Sequence, residues 1–479
     1  LKTTALLFPV LALILGWTSS SAQSYKALHG SVYGGGLAVY NNPASIINQE
    51  NPWDLTILGT QHKAVTNLLY IKNYNLLKSA DEGEFITRPG YYGRSAHYQS
   101  DVRLLNLRFT LKRKHAFGAG INIRNYLHLK TSPYLYMDSI QTTRDFLLLN
   151  EIVRSPMSVR ATQASWGEFY FAYARPLYED EMMRWTAGAT VKIQRGLSGA
   201  FVRLSDGLIE PRHDGIRPYT VVTNAGGSYS YSSNYDRVND EKESMQNVQD
   251  FMGHTLFSGS VDLGTELIIR YTNLAFEKDA PVYNWKMGIS LLDIGQNRYM
   301  PGREGRSFAG LANEVVDTVL HNKFESVGSL ADFNDSLATI ARGIRRYNRN
   351  FSVWQPTRLV VNVDKHIHQH FYVNGEFSGN LSSAFSDKYY AVREMELLTV
   401  TPRWEKKTLG AYLPVQYTTD GKFWVGLAGK AGPVLLGFHH LGWLFGKNSM
   451  PNGGFYLAFT VKGWKFRPND GIYACPPPL

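Results

Sequence analysis

Leu105-Asn-Leu-Arg-Phe-Thr-Leu111, then Lys112-Arg-Lys114, then His115-Ala-Phe-Gly-Ala-Gly-Ile-Asn-Ile-Arg124 is the stretch on which the fold turns. Leu105, Leu107, Phe109 and Leu111 alternate with Asn106, Arg108, Thr110 and Lys112. After the basic turn at Arg113, Lys114 and His115, Phe117, Ala119, Ile121 and Ile123 alternate with Gly118, Gly120, Asn122 and Arg124. Neighbouring side chains on a strand point to opposite faces, so both segments carry one apolar and one polar face. The unit this spells is a two-faced antiparallel hairpin.

The same pattern recurs outward from this point. Phe169, Phe171 and Tyr173 lead to a turn at Glu179-Asp180-Glu181, and Trp185, Ala187, Ala189, Val191 and Ile193 lead away from it. Near the end, Phe455, Leu457, Phe459 and Val461 alternate with polar or small residues and close on Trp464 and Phe466. About fourteen strands are expected, at 53–68, 101–111, 116–128, 165–177, 183–196, 257–271, 283–294, 356–364, 370–380, 394–404, 408–418, 422–430, 432–440 and 453–466. Loop length follows parity. Odd connections (69–100, 129–164, 197–256, 295–355, 381–393, 441–452) are long, apart from the tight turn at Asp420-Gly421. Even connections (112–115, 178–182, 272–282, 365–369, 405–407, 431) are mostly short. A β-sandwich explains any one hairpin but has no reason to sort loops by parity. A transmembrane barrel does, with short turns on the periplasmic side and long loops outside.

Composition agrees with export to a membrane. Lys2 and the apolar run Ala5 to Trp17, followed by Ser19-Ser-Ser-Ala22, read as a signal peptide over 1–22, too short to span a bilayer as a helix. A single cysteine, Cys475, leaves no internal disulfide framework and no cysteine-based zinc cluster. The formal charge of +10 suits an anionic partner, which for an exported chain is lipid phosphate rather than nucleic acid. Aromatic residues make up 13% of the chain, as girdles at both membrane interfaces require.

Arg108, Arg124, Glu168, Lys192, Arg358 and Glu376 fall on the polar faces of their strands. Facing lipid at the midplane, an Arg or Lys costs roughly 2–4 kcal/mol, so these six are expected to point into the lumen and pair. They make either a polar transport path or a salt-bridged filling. Asp364, His366, His368 and His370 share one parity, which suits metal ligation on a continuous strand, but the expected turn at 365–369 breaks that register. No metal or other cofactor is expected. His439-His440 is the one pair reminiscent of a barrel hydrolase, but no Gly-x-Ser-x-Gly elbow occurs, so no enzyme is expected. Gly34-Gly-Gly36 lacks the Lys-Ser or Lys-Thr of a phosphate loop. In 295–355, Val315, Val316, Val319 and Leu320 make one stripe, and Leu337, Ile340 and Ile344 another, followed by Arg342, Arg345, Arg346 and Arg349. This is a possible helix pair on the outer surface, able to pack on its neighbours, touch lipopolysaccharide phosphates or dock a protein.

Several segments resemble the FadL/PorV-like outer-membrane barrels of Bacteroidota, and especially an uncharacterised family related to them. They are Gly34 to Ala44 with Asn42-Pro43-Ala44, Val191-Lys192 with Gly196, Asp262-Leu-Gly264, Asp293-Ile-Gly295, Ala411-Tyr-Leu-Pro414 and Gly432-Pro-Val-Leu-Leu-Gly437. The resemblance implies a 14-stranded barrel whose N-terminal segment folds into or under the lumen. It divides the chain into signal peptide (1–22), plug-like segment (23–52), barrel (53–466) and periplasmic tail (467–479). Glycines that permit close approach, with a Pro ending any helix or ladder, suit such a plug, although an exposed turn would use them too. The functions implied are passage of a small hydrophobic ligand, as for FadL, or scaffolding of a secretion or assembly complex. PorV implies the latter as a protein-binding component of type IX secretion.

Overall fold

Two-faced strands leave unpaired backbone at both edges of a sheet unless the sheet closes on itself. In the computed structural model of this chain it does. The structure describes residues 25–72, 84–153, 155–213, 215, 218–238, 244–270, 283–382, 390–418, 421–441 and 452–463. The expected signal peptide, the tail with Cys475, Trp464, Phe466 and Asp420 lie outside them. Fourteen strands form the ring. They are β1 Trp53–Thr66, β2 Gly90–Leu111, β3 His115–Tyr136, β4 Met157–Glu179, β5 Met183–His213, β6 Phe257–Ile269 and β7 Trp285–Tyr299, then β8 Arg358–His368, prolonged by Phe351–Trp354. The ring continues with β9 Phe371–Asn380, β10 Leu397–Glu405, β11 Leu409–Tyr412 with Val415–Thr418, β12 Phe423–Val425 with Leu427–Ala431, β13 Val434–Phe438 and β14 Asn452–Lys462. Each pairs antiparallel with the next. β14 then pairs with β1, Thr460 opposite Thr56 and Gly454 opposite Lys63.

The alternation puts grease outside. Every strand of the ring contributes at least one exposed large apolar side chain, among them Leu58, Phe109, Ile121, Phe171, Val191, Ile289, Val363, Phe377, Leu398, Leu436 and Phe459. A continuous apolar belt of this extent is unstable in water and matched to hydrocarbon. The chain is a transmembrane antiparallel β-barrel.

The wall is uneven in height. β2 to β5 run for 22, 22, 23 and 31 residues, whereas β8, β9 and β10 run for 11, 10 and 9. Much of what the sequence suggested as the loops 69–100, 129–164 and 197–256 is therefore tall strand. Beyond the membrane, the upper part of β5 pairs with Gly226–Tyr231, which pairs with Arg306–Phe308. Over that ribbon sit helices α1 Asp317–Phe324 and α2 Leu330–Ala338 around Tyr229, Phe308, Val315, Leu337 and Ile340.

Two local expectations need correction. Val315 and Val316 form a short strand ahead of α1, and α2 ends at Ala338. Ile340, Ile344 and Arg349 are not helical, and Arg342, Arg345 and Arg346 belong to two-residue strands turning at Gly343 (φ +68°). β8 continues to His368 through an irregularity between His366 and His368, and the turn is only Gln369-His370. Asp364 faces inward and is buried, while His368 is exposed at the rim.

Candidate functional site

Residues 25–52 occupy the lumen at the short-turn end as three 3-10 helices, Lys26–Leu28, Gly35–Tyr40 and Pro43–Asn48. Ala27, Leu37, Val39, Ala44, Ile46 and Ile47 are all buried there. Side-chain contacts hold this plug. Asn42 caps the third helix, its Oδ1 accepting from the Ala44 N–H at 2.9 Å, while its Nδ2 donates to the Thr265 carbonyl at 2.9 Å. Pro43 suits the first helical position, where no N–H is needed. The wall is cut away to receive this turn. A Cβ on Gly264 of β6 would lie 2.1 Å from Asn42 Oδ1, and one on Gly188 of β5 would lie 2.6 Å from the Pro43 carbonyl carbon. Gly188 and Gly264 stand opposite each other, so together they form one groove.

Charged side chains fix the plug on all sides. Arg108, fully buried, pairs with Asp54 at 2.6 Å and donates to the carbonyls of Ile46 and Asn51. Asp54 in turn accepts from the Gly36 N–H at 2.6 Å. Glu266 receives Ser45 Oγ at 2.5 Å and Asn48 Nδ2 at 2.7 Å. His29 Nδ1 lies 2.5 Å from Glu376, and Ser31 Oγ donates to Glu405 at 2.5 Å. Asp364 is paired with Arg403, which also donates to the Gly30 carbonyl. The guanidinium of Arg103 lies 3.5 Å from the Tyr40 ring and 4.3 Å from the Tyr25 ring, a cation–π sandwich made wholly with plug residues.

Above the plug lies a layer of charge. Lys192 bridges Asp262 and Asp293, both at 2.7 Å. Arg124 takes Asp293 through two nitrogens at 2.6 and 3.0 Å and also faces Asp101 and Glu168. Glu168 receives Asn122 and the Trp166 indole N–H. Arg358 pairs with Glu394 and donates to the Tyr40 carbonyl at 3.0 Å, so it touches both the plug and the loop between β9 and β10. Asp293 sits in left-handed backbone (φ +56°) at a bulge, and Gly295 follows where a Cβ would meet the Gly259 carbonyl at 2.5 Å. A cavity of about 20 Å3 among Tyr25, Tyr40, Arg103, Arg124 and Arg358 has room for little more than a water molecule. Higher still, Tyr126, Trp166, Phe201, Tyr299, Phe351, Val353 and Val392 pack into one buried, mainly aromatic cluster. Val392 reaches it because Tyr390–Ala391 pairs in parallel with Val353–Trp354, folding that loop into the mouth.

All six charges read from the strand faces are buried in the lumen, each with a partner described above. Asn42, Pro43 and Gly264 meet in the groove, and Asp262 and Asp293 meet on Lys192. The metal candidates do not converge. Asp364 is committed to Arg403, His366 Nε2 contacts the Gln369 carbonyl, and no group of three or more His, Cys, Asp or Glu able to hold a metal occurs among the described residues. Sequence reading missed Asp54, Asp101, Arg103, Glu266, Glu394, Arg403 and Glu405. For Asp101 and Arg103 the reason is a bulge at Leu105 (φ +50°), which switches the inward parity of β2 from even positions below to odd positions above. The Leu104-Leu105 doublet was its only trace.

Known proteins resemble this chain at two levels. The solved structures similar to it include the toluene transporter TbuX of Ralstonia pickettii, 11% identical, with 90% of this chain and 94% of that one covered and a TM-score of 0.39. A FadL homologue of Pseudomonas aeruginosa is 10% identical, with coverages of 92% and 98% and a TM-score of 0.42. At such scores neither bears on what this barrel does. No curated protein matches the chain. A sequence-family profile does, over residues 43–439, from the Pro of the docked turn to the first histidine after β13. The chain therefore belongs to the family of unknown function DUF5723.

Proposed function

We propose that this chain is a non-enzymatic outer-membrane barrel of a diderm bacterium, shut at rest by its own N-terminal segment, which passes a small molecule when that segment shifts. The observation that carries the reading is the stopper: residues 25–52 lie inside the ring, held by side chains from strands around it. Its 3-10 helices are not threaded into the sheet as a strand, so it can leave without unzipping the wall. With long loops outside, the plug closes the periplasmic end. Residues 1–22 fit this as an export signal, 23–52 as the plug and 467–479 as a periplasmic tail. A hydrophobic ligand is the cargo the FadL resemblance implies, but it would have to avoid the charged mid-lumen.

A second reading, a scaffold in a secretion or assembly complex such as a PorV-like partner of type IX secretion, draws on the filled lumen and on the outer cap. There Arg342, Arg345, Arg346 and Arg349 are exposed, as are Met245 and Val248 on the helix Ser244–Gly253. That face suits lipopolysaccharide phosphates or a protein. A hydrolase has no comparable support, since His439 and His440 share their crevice with Lys63, Val65, Trp424 and Gly453, none of them a nucleophile of the Ser or Asp kind. Conductance in planar bilayers decides between the first two. The full chain should be closed and Gly264→Ala, whose methyl collides with Asn42, should open it. A wild-type barrel open at rest, or a Gly264→Ala barrel that stays shut with its plug displaced, overturns the transport reading and favours the scaffold.

A further inference from the structure

Outside the ring, one helix keeps its apolar stripe uncovered. Over Ser244–Gly253, Met245, Val248, Phe251 and Met252 recur at helical spacing and share one stripe, with Gln246, Gln249 and Asp250 off it. A helix on a water-soluble surface turns such a stripe towards a core. Here only its edge is docked, the Phe251 ring meeting the Tyr235 ring edge-on at 5.5 Å. Met245 is 68% exposed and Val248 55%. The helix also ends where the apolar belt ends. On β5 the exposed Val191 and Ile193 give way to Arg195, which stands opposite Phe257 at the start of β6. From Met183, at the short-turn end, to Arg195 the strand climbs about 30 Å at the usual rise and tilt, close to the height of a barrel's apolar band. Arg195 therefore sits at the long-loop interface, where a cation on the lipid side costs little. Its guanidinium lies 4.8 Å from the centre of the Phe257 ring, itself 65% exposed, and donates to the Met252 carbonyl at 3.0 Å. That bond holds the last turn of the helix against the outer surface of the wall, with a cation at the end of the helix that favours one.

We propose that Ser244–Gly253 lies in the long-loop interface of the bilayer, with Met245, Val248 and Phe257 set among lipid chains as a shoulder on the barrel. Continuity with the belt selects the occupant. Phe257 stands directly above Ile193 and Val191 on the same outer face, and the medium against those two is hydrocarbon. Gln246 and Gln249 lie off the stripe and stay hydrated. The segment has no Lys or Arg, so attraction to lipid headgroups does little to hold it. As a free peptide its ten residues would leave a bilayer readily. The wall removes that difficulty. Joined to β6 through His254-Thr-Leu256 and tied by Arg195, the helix is delivered to the interface and loses little freedom on entering it. The assignment needs only a bilayer around the ring, so it holds for a transport barrel and a scaffold alike. It takes Met245 and Val248 out of the surface open to a protein.

The test uses the full chain in phosphatidylcholine liposomes, with Cys475→Ser removing the native thiol. A nitroxide is attached through Met245→Cys, Val248→Cys, Gln246→Cys or Ile193→Cys, one at a time. Its collisions with oxygen, which concentrates in hydrocarbon, are compared with its collisions with a water-soluble nickel chelate. The oxygen-to-nickel ratio should be several-fold higher at positions 245 and 248 than at 246, and should approach the ratio at 193. Positions 245 and 248 report on the same face, so if one variant fails to fold the other decides. Equal, water-like ratios at 245, 248 and 246 overturn the proposal. So does shielding of 245 and 248 from both reagents, the mark of a covering protein, a second copy of the barrel included. A water-like ratio at 193 as well would remove the bilayer from around the ring, and the proposal with it. In the same liposomes, Met245→Gln with Val248→Gln should speed amide hydrogen exchange over 244–253 several-fold and leave the urea midpoint of the barrel unmoved. Exchange that the double variant does not change also overturns the assignment.

Discussion

Lys192 holds Asp262 and Asp293 apart in a place where water cannot. Removing one member of such a buried set costs more than the set contributes, because the remaining charges are stranded in a poor solvent for ions. Lys192→Met should destabilise the barrel by about 3–5 kcal/mol, read as a lower urea midpoint. Lys192→Met with Asp262→Leu should recover much of that loss, and an unchanged midpoint in the single variant would mean that the pair is not buried as described. Asn42 acts more locally. Asn42→Ala loses the cap on Pro43–Asn48 and the bond to Thr265, a loss of about 1–2 kcal/mol confined to the plug. Faster amide hydrogen exchange at residues 44–48 with an unmoved barrel midpoint is the expected outcome. The charges at these sites were legible from alternation, since a cation on a lipid-facing strand must point inward. Their partners were not, because alternation assigns a face and says nothing about what stands across the lumen.

The strands and their breaks set which residues meet. The sequence expectation placed all fourteen strands near their observed positions but stopped several of them early. β2 to β5 lose their apolar alternation where they leave the membrane, while the backbone ladder continues into water. The bulges at Leu105 and Asp293 escaped detection because an inserted residue alters parity without altering composition. The helical stripe drawn through Leu337, Ile340 and Ile344 fails for a related reason. Three apolar residues at helical spacing also fit a helix end followed by two short strands that pair with Gly310–Leu311 and Arg306–Ser307, and here all three pack in the same small core. At this scale the groove on β5 and β6 makes the sharpest prediction. Gly188→Ala puts a methyl 2.6 Å from the Pro43 carbonyl carbon, yet costs the strand nothing in propensity. Limited proteolysis should then cut within residues 25–52 in folded protein that keeps its heat-modifiable gel mobility. Continued protection would show that the groove does not position the plug.

As a whole, the molecule is grease outside and charge inside, and the two faces should answer differently to the same substitution. Ile121→Arg, on the exposed belt, should cost roughly 2–4 kcal/mol in a lipid-refolding titration. Thr110→Arg, at the short-turn end of β2 and only half-buried, should cost much less in the same titration. Equal penalties would contradict a bilayer around the ring. What the sequence by itself determined is this envelope: the strand number, the face turned to lipid wherever no bulge intervenes, and the segregation of long from short connections. These are local properties, because a period of two is set by backbone geometry and the choice of face by the medium next to it. Only the tertiary structure decided how the lumen is filled. Ser31 bonds to Glu405, 374 residues away, and Arg358 reaches the carbonyl of Tyr40, 318 residues away. Closure of the ring brings such partners together, and no periodicity within either segment encodes the distance between them.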